Sequence, residues 1–179
     1  MTNTRLETKN LVLTLRSPEE VRAWVDSLDP SVKKELSSSW LRRIAEADRS
    51  DLWLHGFTLV LRATGVTVGS AGFKAPPDAE HAVEIAYGVD AEYQGRGYAT
   101  EAADALTNHA FATGRVRVVR AHTLPEPNAS TRVLTKCGFG FVGEVVDPDD
   151  GPVWRWEKSA QTTDATHRTR LSDADMPER

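Results

Sequence analysis

Between Asp90 and Ala102 the chain reads DAEYQGRGYATEA, and the residues able to do chemistry gather around this stretch. Gly95 and Gly97 flank Arg96 where a strand-like run, VEIAYGV, gives way to an alanine-rich helical run. A helix N-terminus presents unpaired N–H groups and the positive end of its dipole, and glycine lets an anion approach the backbone without a Cβ in the way. The junction suits a phosphate, and it equally suits a plain tight turn. Upstream, Glu84 alternates with Val83 and Ile85 and shares a strand face with Ala82, Ala86 and Gly88. Small neighbours leave room for a carboxylate that accepts a proton; an exposed carboxylate or an ion pair is the alternative. Downstream, Asn128 stands where a helix N-cap is wanted, with Ser130 in the first turn after it. Cys137, next to Gly138 at a helix end, reads as packing rather than as a nucleophile.

Other chemistries are excluded by spacing. GRGYAT lacks the third glycine of a dinucleotide fingerprint, and the following strand ends in RAHT without a ribose-binding acid. No Gly-Lys-Ser/Thr follows, as an ATP loop requires, and VGSAG lacks the spacing of a nucleophile elbow, so Ser70 reads as a strand residue. The five histidines are scattered without zinc-site spacing, so no metal is expected.

The elements that must position these residues follow from periodicity. Leu11, Leu13 and Leu15 alternate as a strand does, and SPEE starts a helix with Pro18 in its first turn. Val32, Leu36, Trp40, Leu41 and Ile44 recur at helical spacing and predict one helix within 31–49. LWLHGFTLVLR, TVGSAGFKA and HAVEIAYGV read as three strands of an antiparallel meander. Ala99, Ala102, Ala103, Leu106 and Ala110 mark one helix face that Gly114 ends, and RVRVVRAHT is the strand after it. A helix from Asn128 to Gly138 and the strands FGFVGEVV and PVWRWEK, joined at DPDDG, complete one domain over 1–158. The remainder, 159–179, is polar and aperiodic and is expected to be a disordered tail.

A chain of 179 residues with 40% hydrophobic content buries one ordinary core. A net charge of -4 and no long basic run argue against nucleic acid as a partner. One cysteine excludes an intrachain disulfide, and neither a signal peptide nor a run long enough for a membrane span is present. The chain reads as soluble and cytoplasmic, without a membrane partner.

Gln94-Gly95-Arg96-Gly97-Tyr98-Ala99 resembles the Q/R-x-x-G-x-G/A signature of the GNAT superfamily of acetyl-CoA-dependent N-acetyltransferases. VEIAYGVDAEYQGRGYATEA looks like its ribosomal-protein-alanine/serine acetyltransferase branch, and NASTRVLTKCGFGFVGE is similar to that branch's Asn-x-x-Ser helix ending in Gly-Phe. The resemblance implies the α/β (α+β) acyl-CoA N-acyltransferase fold, a mixed, mostly antiparallel sheet flanked by helices and splayed where the cofactor enters. It implies acetyl-CoA as acetyl donor, its pyrophosphate held by backbone amides of Gly95, Arg96, Gly97, Tyr98, Ala99 and Thr100, with Gln94 in the same loop. Backbone amides around Tyr87 and Val89 would orient the thioester and pantetheine, and Asn128 would touch the CoA arm or an ordered water. Glu84 would accept the amine proton and Ser130 would hydrogen-bond the leaving sulfur. Trp40, in the segment that shapes the acceptor pocket in this family, is the aromatic to watch.

The implied acceptor is a small-molecule amine or a protein N-terminus, attacking directly in a ternary complex; a homodimer is compatible with the resemblance. One departure matters: many members carry a tyrosine acid in the last helix, and the matching position here is Leu134. Either Ser130 with water replaces it, or the thiolate leaves unassisted, or the chain is an acetyl-CoA-binding regulator with little turnover. A flavin- or nucleotide-binding module using the glycines differently is the third alternative.

Overall fold

The computed structural model describes residues 4–148 and 150–161. An eight-stranded sheet runs in the order β1-β2-β3-β4-β5-β6-β8-β7. Strands β1 (Arg5–Glu7), β2 (Leu11–Leu15), β3 (Phe57–Leu61), β4 (Thr67–Phe73) and β5 (Ala82–Val89) are antiparallel neighbours. Then β5 pairs in parallel with β6 (Val118–Thr123), and β8 (Gly151–Ser159) lies between β6 and the edge strand β7 (Gly140–Asp147). The expected mixed, mostly antiparallel architecture and its meander are therefore present. The three-residue β1 escaped the periodicity reading because it is too short to alternate visibly.

Helix α4 (Tyr98–Ala112) covers the middle of one face of the sheet. Its buried Ala102, Ala103, Leu106 and Ala110 meet Leu11, Leu13, Phe57, Leu59, Val83 and Ile85 in one core. Alanines let the helix axis approach the strands closely, and each fully buried large side chain such as Phe57 or Leu59 contributes about 1.5–3 kcal/mol. Glu101 in the first turn of α4 accepts hydrogen bonds from Thr8 Oγ1, Asn10 Nδ2 and the Asn10 backbone, tying the β1–β2 turn to the helix start. Burial opposes ionisation there, but these hydrogen bonds outweigh it and leave the Glu101 carboxyl below its ordinary value.

Two sequence expectations need correction. The single helix expected within 31–49 is two, α2 (Pro30–Glu35) and α3 (Ser38–Glu46), because Ser37 leaves helical geometry and its Oγ accepts the Trp40 N–H at 3.4 Å. The strand expected from Leu52 begins only at Phe57. Asp51 bends the preceding residues into a turn: its side chain accepts from Trp53 N at 2.7 Å and its N–H donates to His55 Nδ1 at 2.9 Å. This turn, α1 (Pro18–Ser27) and α3 share a second, smaller core of Val21, Val25, Ile44 and Leu54. Helix α5 (Ala129–Lys136) follows β6 and ends with Gly138 at φ +78°. Among the described residues no helix is long and apolar enough to cross a membrane. The expected tail falls almost entirely outside the described residues; β8 itself runs to Ser159, and Ala160 N–H bonds to Arg117 O.

Candidate functional site

The site exists because β5 and β6 part company. They pair only over Ala82–Glu84 against Val118–Arg120. Beyond that, β5 continues to Val89 bonded to β4 alone, while β6 continues to Thr123 bonded to β8. The strands splay, and past Glu84 β5 has an open backbone edge.

On the α4 side the opening is a cleft of about 540 Å³, lined by Tyr87, Gly88 and Val89 of β5, the loop from Tyr93 to Gly97, the start of α4 and one side of α5. Gly97 is the N-cap of α4, with φ +85° and ψ 0°, and caps it with no side chain. The N–H groups of Tyr98, Ala99 and Thr100 therefore have no intrahelical partner and lie at the cleft. Gly95 has φ +75°, so the backbone turns twice through the left-handed region that glycine favours. A Cβ built on either glycine meets nothing within 4 Å: the chain's own packing does not exclude a side chain there. The cleft thus fits an extended anionic ligand such as CoA, with open space in front of free N–H groups.

The predicted residues separate into those that face this cleft and those that do not. Gln94, Gly95, Gly97, Tyr98, Ala99, Thr100, Tyr87, Val89 and Ser130 line it. Gln94 Nε2 donates to Val89 O at 2.9 Å and fixes the loop to the strand end. The Arg96 side chain turns aside, stacking 5.6 Å from the Tyr93 ring centroid and donating to Glu92 O at 3.2 Å. Asn128 spends its side chain on the α5 cap: Oδ1 accepts from Thr131 N at 3.0 Å, and Thr131 Oγ1 accepts from Asn128 N at 3.0 Å. Arg132 and Lys136, one turn apart on α5, line the cleft and went unnoticed. Their i, i+4 spacing on an amphipathic helix was the signal available in the sequence.

A second cavity, of about 370 Å³, opens from the same splay and shares Tyr87 and Ser130 with the first. Glu84 lies in its wall, as do Lys74, His122 and Asp150. Lys74 Nζ is 2.7 Å from Glu84 Oε1 and 3.6 Å from Asp150 Oδ2; His122 Nδ1 is 3.2 Å from Glu84 Oε1 and 3.6 Å from Asp147 Oδ2. Burial works against the Lys74 charge, but the surrounding carboxylates outweigh it and raise its pKa. Arg155 Nε donates to His122 Nε2 at 3.3 Å, which places the proton of a neutral ring on Nδ1, toward the carboxylates. Glu84 Oε1 and His122 Nδ1 are both buried and held against each other, with Lys74 the further ion-pair partner of Glu84. Glu84, His122 and Asp147 offer ligand atoms within 4.8 Å of one another, and the Lys74 ammonium is already paired with Glu84. Residues 84, 122 and 155 come from three strands and residue 74 from the end of a fourth, a grouping that no local spacing reveals.

The Tyr87 hydroxyl is buried between the two cavities. Burial raises its pKa and the neighbouring Cys137 adds to this; Ser130 lowers it in part, although no hydrogen bond of good geometry reaches the hydroxyl. Leu134 is fully buried in the main core and faces neither cavity. Cys137 is buried, its Sγ 3.5 Å from Thr100 O, and burial pushes its thiol pKa up. Trp40 reaches Leu54 O through Nε1 at 3.2 Å and lines a third cavity, of about 260 Å³, that meets the second at Ala86 and Tyr87.

Known proteins share this architecture. The uncharacterized N-acetyltransferase p20 of Bacillus licheniformis is 25% identical over 128 residues, 66% of this chain and 72% of that protein. A GNAT-family acetyltransferase from Bordetella pertussis has 25% identity, a TM-score of 0.63 and coverage of 87% of this chain and 99% of its own. RimL, a ribosomal-protein alpha-N-acetyltransferase solved with coenzyme A, has 17% identity and a TM-score of 0.62 over 87% of this chain and 98% of its own. The family model for the acetyltransferase (GNAT) domain matches residues 4–140. The chain therefore belongs to the GNAT acetyltransferase family.

Proposed function

We propose that the protein moves an acetyl group from acetyl-CoA to a primary amine by direct attack in a ternary complex, in a reducing cytoplasmic setting compatible with its free, buried cysteine. The observation that carries this reading is the meeting of two cavities at Tyr87 and Ser130, one lined by free helix N–H groups and the other by a carboxylate. Acetyl-CoA supplies an activated acetyl thioester. The N–H groups from Gly95 to Thr100, with Arg132 and Lys136 beside them, hold its phosphates. The open edge of β5 near Tyr87 and Val89 orients the pantetheine by strand-like pairing.

Glu84 accepts the amine proton through water, kept in position by Lys74 and His122. Ser130 and the buried Tyr87 hydroxyl stand where the leaving sulfur must be stabilised. A covalent acetyl-enzyme on Cys137 is disfavoured, because burial raises the thiol pKa and keeps the thiolate scarce. Thiol release measured across a panel of protein N-terminal peptides and small amines tests the proposal: amine-dependent CoA release is expected. Acetyl-CoA binding without release on any amine would favour the regulatory reading, which rests on Leu134 being buried where many relatives place an acid.

A further inference from the structure

We infer that Arg16 forms an anion subsite of the acceptor pocket, so that the acceptor is an amine that also carries a carboxylate, an amino acid in chemical class. The inference rests on the acetyltransferase reading above and narrows its substrate. Arg16 leaves the end of β2 half-buried, with its guanidinium 5.5 Å from the ring centroid of Trp24. Its Nε donates to His55 O at 3.0 Å. No carboxylate of the described residues comes within 4.0 Å of it, unlike Arg22, Arg62 and Arg120, which all have ion pairs. Glu20 is the nearby acid, and its carboxylate is engaged with Ser17 N at 2.7 Å. A guanidinium carries five N–H donors in a planar fork, and holding the 51–55 turn uses one.

The cavity on which Arg16 opens supports the same reading. The third cavity, of about 260 Å³, is lined by Arg16, His55 and Trp40 among others, and by no acidic residue. His55 is fully buried and accepts the Asp51 N–H at Nδ1, so its neutral ring carries the proton on Nε2, which has no partner among the described residues. Burial lowers the His55 pKa, in keeping with the neutral form. Arg16, with N–H groups beyond the one given to His55 O, thus borders one small cavity without acidic residues, where an anion would satisfy it. On its other side Arg16 faces a cavity that also holds Glu20 and Asp90, which repel an anion and leave the inner cavity as its place.

Geometry then sets the acceptor. The inner cavity touches the Glu84 cavity at Ala86 and Tyr87, and Ala86 and Gly88 add no bulk beside the passage. A carboxylate at Arg16 directs an amine on the same small molecule toward Tyr87 and the Glu84 carboxylate. A diamine would set a cation against Arg16, and a protein N-terminus has no carboxylate on its amino-bearing carbon.

The test uses the full chain with acetyl-CoA and the twenty L-amino acids, each beside its decarboxylated amine, for example phenylalanine with phenethylamine and leucine with isoamylamine. At least one amino acid is expected to exceed its amine by about tenfold or more in kcat/KM. Arg16→Ala should erase that preference by raising KM for the amino acid alone, Arg16→Lys should restore part of it, and acetyl-CoA affinity should stay unchanged in both. Equal rates for acid and amine in the unaltered protein overturn the inference whether or not the variants fold, as does an equal loss for both in Arg16→Ala, which would leave Arg16 a structural residue. If no amine in the panel is acetylated, the transferase reading fails separately, and calorimetry of the same pairs on CoA-saturated protein still decides. Tighter binding of an amino acid than of its amine sustains the subsite, and equal or absent binding of both removes it.

Discussion

Replacing Gly97 by alanine separates the two roles that a glycine can have at the start of α4. Gly97 sits at φ +85°, and a Cβ there meets no atom of the protein within 4 Å. The substitution therefore loses stability only through backbone conformation, about 1–2 kcal/mol for an L-residue in the left-handed region. Gly114 supplies an internal control: it lies beyond the other end of the same helix at φ +70°, and its Cβ would also meet nothing within 4 Å. The helix between them places it about 25 Å away. Gly97→Ala and Gly114→Ala should lower the melting temperature by similar amounts, about 2–8 °C. Only Gly97→Ala puts a methyl group in the cleft in front of free N–H groups, where a phosphate must come close. Its acetyl-CoA affinity should fall by at least about tenfold, or about 1.4 kcal/mol, while that of Gly114→Ala stays within about twofold. Calorimetric titration beside thermal unfolding without ligand reads both. Matching stability losses with undiminished affinity in Gly97→Ala would refute the phosphate clamp and leave Gly97 a turn residue.

Glu84→Gln should lower kcat by about 100-fold with acetyl-CoA affinity nearly unchanged, since a proton acceptor acts on the amine; an unaltered pH–rate profile would remove Glu84 from the mechanism. Tyr87→Phe deletes a buried hydroxyl that has no well-formed hydrogen bond, so it should leave the melting temperature intact while slowing turnover about tenfold, and unchanged turnover would make Tyr87 a packing residue. Arg132→Ala with Lys136→Ala should weaken acetyl-CoA binding by roughly two- to fivefold per charge at low salt and less at high salt; a salt-independent loss would contradict a phosphate contact. Glu101→Gln should destabilise the fold by about 2 kcal/mol at pH 7. Because the folded-state pKa of Glu101 is depressed, its stabilisation is present above the unfolded value of about 4.3 and is lost as pH falls through the folded value. The melting difference between Glu101→Gln and the unaltered protein should therefore shrink below about pH 4, and a constant difference would show that the carboxylate charge is not what matters.

Local pattern was enough wherever one segment carries its own instruction. Alternation placed β2, β4 and β5; alanines at helical spacing placed α4; Asn128 and Gly138 bounded α5; and Gly95-Arg96-Gly97 placed the strand-to-helix junction. The break at Ser37 and the turn at 51–55 were misread for the opposite reason. There, periodic apolar residues suggested continuity, and the competing side-chain hydrogen bonds of Ser37 and Asp51 decided the backbone.

The sequence by itself determined the order of the elements and the glycine junction, because both depend on residues within a few positions of one another. Tertiary structure alone decided which side chains meet. Glu84, His122 and Arg155 lie on three strands and Lys74 just beyond a fourth, and they converge only because β4, β5, β6 and β8 are neighbours in the sheet. The placement of Arg16 beside a buried His55 is likewise set by segments far apart in the chain, whereas the direction of the Arg96 side chain and the Asn128 cap rest on partners three or four residues away. Strand pairing has a side-chain period of two but no memory of sequence distance, so it can bring residues 84 and 122 into one cavity while giving neither segment a local sign of the other.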